Sequence, residues 1–242
     1  MIEGASLGLT AVVPAAGIGS RMGASCPKQY LPLAGKTILE HSLGALLTHP
    51  AIAQVIVALA PHDTWFETLS VARDPRILRV QGGAERAYSV LNALHVATGS
   101  WVLVHDAARP CLTHGDLDEL IAAAMASGGA ILGSRVRDTM KRSDERGNIV
   151  ATVERDGLWH ALTPQMFPTG PLKRALEEGL ALGATITDEA SAMERAGFPV
   201  RMVEGRADNI KVTRPEDLAL AGLFLRQQHD APAHAQMNKE SP

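Results

Sequence analysis

The densest chemistry in the chain lies in Pro14-Ala15-Ala16-Gly17-Ile18-Gly19-Ser20-Arg21-Met22-Gly23, followed by Pro27-Lys28-Gln29. The segment begins where an apolar run, Leu9–Val13, ends. Glycines at such a point let backbone N–H groups converge on an anion without side-chain obstruction, which makes a nest for phosphate. Arg21 adds a planar fork of donors and Lys28 a mobile point charge. The plainer alternative is a strand-to-helix turn with two solvated cations. The spacing is not the dinucleotide fingerprint, which needs glycine where Met22 stands. Nor is it a P-loop, since no Gly-Lys-Ser/Thr follows Gly19 or Gly23.

A second group follows the apolar run Trp101–His105. Asp106 there can hold a divalent cation or accept a substrate hydroxyl, or it can simply cap a turn. Arg109 precedes Pro110, which biases it away from helix and lets it point into a cleft. His105 reads as a packed strand-end histidine rather than a general base. Lys211 lies between apolar Ile210 and Val212, so alternation turns it away from the core. Cys26 and Cys111 lack a neighbouring acid–base pair and read as ordinary small residues. No G-x-S-x-G, H-E-x-x-H or C-x-x-C is present, which removes the common hydrolase, zincin and redox readings.

These residues need a frame that brings them together. Leu9–Val13, Gln54–Leu59, Ile77–Val80, Trp101–His105 and Ala130–Val136 each read as a buried strand. Helices are expected over Lys36–Leu47, Asp63–Val71, Glu85–Ala97 and Asp116–Ser127, where in the third Ala87, Val90, Leu91 and Leu94 share one face. The alternation predicts a mostly parallel sheet covered on both faces, with strand C-termini on one ligand-binding edge. The rhythm breaks at residues 138–156, where a Gly147-Asn148 turn and Ile149–Val153 suggest a β-hairpin that must pack on something, such as another subunit. Helices resume at Pro171–Leu182 and Asp188–Ala196, then extended segments at Val200–Val203 and Asn209–Val212. A final helix has Pro215 in its first turn. Residues 1–227 make one domain in this reading, and 228–242 a disordered tail.

Composition sets the outer limits. The 242 residues carry a net charge of −3 and are 46% hydrophobic and 20% charged, which fits one globular α/β domain. Aromatics are only 4%, and the charge is near neutral, so no nucleic acid partner is expected. No apolar run reaches the ~20 residues of a membrane span, and the start lacks the basic and apolar regions of a signal peptide. Two cysteines cannot make a disulfide framework. The expectation is a cytoplasmic protein that uses no membrane.

The A-A-G-x-G-x-R-M…P-K-Q pattern resembles nucleotidyltransferases that join a nucleoside triphosphate to a sugar or polyol phosphate. Gly82–Val90, Val104–Pro110, Asp138–Lys141, Leu162–Gln165, Thr187–Ser191 and Asn209–Thr213 narrow the resemblance to the 2-C-methyl-D-erythritol 4-phosphate cytidylyltransferase family. It spans about residues 9–225 and implies a Rossmann-like three-layer α/β/α nucleotidyltransferase fold with a protruding β-hairpin arm. It also implies that CTP and 2-C-methyl-D-erythritol 4-phosphate form 4-diphosphocytidyl-2-C-methyl-D-erythritol and pyrophosphate, with Mg2+, in a homodimer. By the same resemblance, Arg21, Lys28, Arg155 and Lys211 are catalytic, Arg155 acting in trans from the arm of a second subunit. Pro14, Ala15, Ala16, Gly17, Gly19, Gly83 and Ser89 would bind the nucleotide. Asp106, Arg109, Thr139 and Thr163 would bind the acceptor, and Asp106 is the one metal candidate. Ala84 departs from the acidic residue of some relatives, so that side chain makes no such contact here. Rival readings are the same chemistry on ribitol 5-phosphate or a sugar 1-phosphate, and a non-catalytic nucleotide sensor.

Overall fold

The structure, a computed structural model, describes residues 8–17 and 26–230. Strand β1 (Leu9–Pro14) is followed by a 3-10 turn at Lys28–Tyr30 and a small hairpin, β2 (Pro32–Leu33) and β3 (Lys36–Thr37). Next come α1 (Ile38–Leu47), β4 (Ile52–Leu59), β5 (Ile77–Gln81), α2 (Arg86–Val96), β6 (Trp101–Val104), α3 (His114–Ser127) and β7 (Ala130–Arg135). The chain then makes the arm, β8 (Met140–Ser143) and β9 (Ile149–Val153), and returns through β10 (Trp159–Pro168), α4 (Thr169–Ala181), α5 (Glu189–Arg195), β11 (Arg201–Glu204) and α6 (Pro215–Asp230).

Seven strands form one sheet in the order β11-β7-β10-β6-β1-β4-β5. Every pairing is parallel except those of β10, which runs antiparallel to both β6 and β7. Side chains alternate across the sheet, and both faces are dry. Ala11, Val13, Val55, Val57 and Leu103 pack with Leu43 and Leu46 of α1 and Leu117 and Leu120 of α3 on one face. Val12, Ile56, Val102 and Val104 pack with Val90 and Leu94 of α2 and Leu172 and Leu176 of α4 on the other. Burial on both faces is why these strands read as continuous apolar runs. A third cluster joins Ala221 and Leu225 of α6 to Ala108, Cys111 and Val212. It anchors the segment that carries Lys211 beside the end of β6.

Three local expectations need correction. Asp63–Val71 is not an α-helix but two 3-10 turns, Phe66–Thr68 and Ser70–Arg73. The Asp63 carboxylate accepts from the Trp65 and Phe66 N–H groups, a local bond that competes with helix. β5 is the sheet edge rather than a buried strand, and Leu78 is exposed. Asn209–Val212 joins no sheet; it is an extended strap held by Val212 N–H donating to the Ala108 carbonyl at 2.8 Å. In addition, α6 continues to Asp230, into the start of the expected tail.

The hairpin at 138–156 forms as read: β8 and β9 pair antiparallel, and Gly147 takes φ +84°, which favours glycine. Asp144 holds the turn by accepting from the Arg146 and Asn148 N–H groups. All of β8 and nearly all of β9 are exposed, including Ile149 at 66% and Val150 at 58%.

Candidate active site

The C-terminal ends of the parallel strands β1, β5 and β6 meet at one edge of the sheet. There Pro14–Gly17, Lys28, Gly83, Ser89, Asp106 and Lys211 line an open cleft. Arg109 and Thr163 line a contiguous recess, which shares Arg86, Asp106 and Lys211 with the first. Of the residues expected to do chemistry, Gly19 and Arg21 lie outside the described residues. Arg155 and Thr139 stand apart from the cleft, exposed at the base of the arm, and the Arg155 guanidinium donates to the Arg137 carbonyl.

Each wall of the cleft has a local cause. The start of the Gly-rich loop is pinned by Gln29, whose buried amide donates to the Ala15 carbonyl at 2.7 Å, and by Ala15 N–H donating to the Ala58 carbonyl. Gly82 faces this loop so closely that a Cβ there would lie 2.4 Å from the Ala16 Cβ. A Cβ at Gly83 would lie 2.3 Å from the Tyr88 Cβ. Both glycines are therefore demanded by close approach. The Ser89 hydroxyl accepts from Gly83 N–H at 3.0 Å and donates to the Glu85 carbonyl at 3.2 Å. It fixes the turn before α2, which is the back-bonded role open to a helix serine. Lys28 donates to the Val212 carbonyl at 3.0 Å, tying the nucleotide side of the cleft to the Lys211 strap.

Asp106 is the electrostatic centre. Arg86 Nε donates to one of its oxygens at 3.0 Å; Lys211 Nζ lies 2.8 Å and Arg109 Nε 3.7 Å from the other. Burial opposes ionisation of the carboxyl, but Arg86, Lys211 and Arg109 prevail and hold it well below the usual carboxylate range. Arg86 is in turn gripped through both terminal nitrogens by Glu189, at 2.7 and 2.9 Å. The Arg109 guanidinium also donates to the Asn209 carbonyl at 2.7 Å, and the Asn209 amide donates to the Thr163 carbonyl at 2.9 Å.

His105 is fully buried behind this array. Its Nε2 faces the Arg109 carbonyl at 3.0 Å, which can only accept, so Nε2 carries the proton. Nδ1 then accepts from the Thr163 hydroxyl at 3.1 Å, and that hydroxyl accepts from Asp106 N–H at 3.0 Å. Burial pushes the imidazole pKa down to about 4. His105 is thus a neutral structural histidine, as the sequence suggested, and Thr163 spends its hydroxyl inside the protein. Cys111 is buried, and burial raises its thiol to about 12, so it is inert at neutral pH.

A family model described as "IspD: 2-C-methyl-D-erythritol 4-phosphate cytidylyltransferase" matches residues 9–227. The chain belongs to this family. A relative of that name from Aeromonas hydrophila is 85% identical over 222 residues, covering 92% of this chain and 91% of the relative. One from Shewanella amazonensis is 62% identical over 227 residues, covering 91% and 95%. The crystal structure of the Francisella tularensis 2-C-methyl-D-erythritol 4-phosphate cytidylyltransferase matches with a TM-score of 0.78 at 36% identity, covering 89% of this chain and 99% of that one. The Rossmann-like α/β nucleotidyltransferase fold expected from the motifs is the fold observed.

The family's motifs explain most of the cleft, but not its charge balance. Asp106 was the one metal candidate, yet both its oxygens face cations, and the described residues hold no group of three or more His, Cys, Asp or Glu side chains suited to a metal. They do not make a metal site of their own. Arg86 and Glu189 lie within the motif segments Gly82–Val90 and Thr187–Ser191, and the sequence reading assigns them no role. A signal was available: Arg86 opens a helix, where a cation opposes the helix dipole and calls for a carboxylate. Gln29 and Asn209, buried polar residues in the loops beside the cleft, were likewise passed over.

Proposed function

We infer that the chain transfers the cytidylyl group of CTP to 2-C-methyl-D-erythritol 4-phosphate, releasing pyrophosphate, a step of isoprenoid precursor biosynthesis. The observation that carries this is the family match over residues 9–227, with most of the described motif segments lining the cleft and its recess and Asp138–Lys141 lying apart on the arm. An oxygen of the acceptor 4-phosphate attacks the α-phosphorus in line. The bond from the α-phosphorus to the oxygen bridging to the β-phosphorus breaks, and pyrophosphate leaves with that oxygen. The nucleophile is already anionic near pH 7, so no general base is needed. The neutral, internally bonded His105 is consistent with that economy.

In this reading the triphosphate lies against Ala15–Gly17 and Lys28, with the cytosine beside Gly83. The acceptor takes the recess of Arg109 and Thr163. Lys28, Arg109 and Lys211 offset charge that grows on the phosphorus oxygens in the transition state. Arg21 joins them by resemblance. Mg2+ is proposed to enter with the nucleotide, held by phosphate oxygens and water as this hard cation prefers, and to offset phosphate charge there.

The site is proposed to be completed by a second copy of the chain in a two-fold homodimer, whose arm supplies Thr139 and Arg155 in trans. The arm's exposure supports this: Met140, Ile149 and Val150 are apolar and uncovered, and a two-stranded hairpin is marginal alone. The reading also implies a cytoplasmic enzyme; no described helix is long and apolar enough to cross a membrane. To test the function, the protein is incubated with Mg2+, each of the four nucleoside triphosphates, and either methylerythritol phosphate or ribitol 5-phosphate. Pyrophosphate release with CTP and methylerythritol phosphate alone is expected. Release only with ribitol phosphate would reassign the acceptor, and none with any pair would favour a sensor.

A further inference from the structure

Arg86, Asp106 and Lys211 are the residues common to the cleft and its recess. Lys211 and Asp106 belong to the expected chemistry; Arg86 does not. It is the first residue of α2, and Glu189 is the first residue of α5, 103 positions later in the chain. The Glu189 side chain is only 1% exposed, so its charge has no solvent to rely on. A guanidinium is planar. With both terminal nitrogens fixed on one carboxylate, its Nε–H has a single direction left, and that direction is Asp106 Oδ1. The other Asp106 oxygen is then presented to Lys211 at 2.8 Å and toward Arg109.

We propose that Arg86 is a positioning residue of the acceptor half of the site, acting through Asp106, and that Glu189 is the buried lock that sets its plane. The chain Glu189–Arg86–Asp106–Lys211 ties the N-termini of two helices to the Lys211 strap. It orients the cations that meet the acceptor phosphate, while Lys28 meets the strap only through the Val212 backbone carbonyl. This rests on the cytidylyltransferase reading above. Lysine could not replace arginine: one ammonium is a point charge and cannot hold two carboxylates in a fixed plane.

The test uses Arg86→Lys and Glu189→Gln in the full-length chain, with CTP and methylerythritol phosphate varied separately. The expected result is a KM for methylerythritol phosphate raised about tenfold or more, with the KM for CTP within about twofold. Both constants unchanged, or both rising in step with a falling folded fraction, would overturn the proposal. A second readout needs no activity. Asp106 is followed by carboxyl 13C NMR in the wild type and in Arg86→Gln, and its pKa should rise by about one unit or more in the variant. An unmoved titration would overturn the link between Arg86 and Asp106. If the wild type turns over neither substrate while the titration moves as expected, the functional reading fails and the positioning network stands.

Discussion

Lowering the pH should destabilise the protein through His105, and the size of the effect follows from its surroundings. The folded imidazole titrates at about 4, because burial disfavours the cation, against an ordinary value of 6.5. Between those values the unfolded chain binds a proton that the folded chain refuses. Stability therefore rises with pH across the window and is lost as pH falls through it. The full difference is about 3 kcal/mol, and about 2 kcal/mol of it is gone by pH 5. The chain has nine histidines, so the measurement is a difference. Urea unfolding is followed from pH 7.5 to 4.5 for the wild type and for His105→Gln. Glutamine offers an amide N–H to the Arg109 carbonyl and an amide oxygen to the Thr163 hydroxyl, replacing the bonds of the ring without its titration. The variant should lose stability less steeply on acidification. Parallel pH profiles would refute the assignment of His105 as a buried neutral group.

Gly82→Ala places a methyl 2.4 Å from the Ala16 Cβ, so the Gly-rich loop must shift. It should destabilise the fold by about 1–3 kcal/mol and weaken CTP binding, measured by thermal unfolding and calorimetry; wild-type values for both would contradict the packing. Lys28→Ala should lower kcat by about 100-fold or more while the CTP Kd moves only severalfold, and an unchanged kcat would remove Lys28 from the transition state. Mixed dimers of Arg155→Ala and Lys28→Ala subunits should recover activity that neither homodimer has, whereas no recovery would count against a shared site.

The sheet was legible where each strand is buried on both faces and its pattern is local. Val55–Leu59 is an unbroken apolar run, and in Leu9–Val13 only Thr10 interrupts one. β10 was not read as a strand. Pro164 lies inside it, and proline argues against a central strand; the chain accommodates it with a register shift between Ala161 and Gln165. Its insertion between β6 and β7 depends on long-range pairing that no local window contains. The cleft was legible as a set of motifs, since Pro14–Gly17, Gly83, Asp106 and Lys211 do converge. Its wiring was not. Ser89 and Thr163 line the cleft and its recess, and what their segments did not disclose is that both hydroxyls also hold the backbone. The Arg86–Glu189 pair joins two helices far apart in sequence, and nothing in either segment alone names its partner.

Oxygen-18 in the 4-phosphate of methylerythritol phosphate follows the bond formed by attack on the α-phosphorus. After one turnover with CTP, 31P NMR should show the label in the diphosphate of 4-diphosphocytidyl-2-C-methyl-D-erythritol, including its bridging oxygen, and unlabelled pyrophosphate. Label in the pyrophosphate, or CMP formed without the diphosphate product, would contradict attack by the acceptor phosphate on the α-phosphorus.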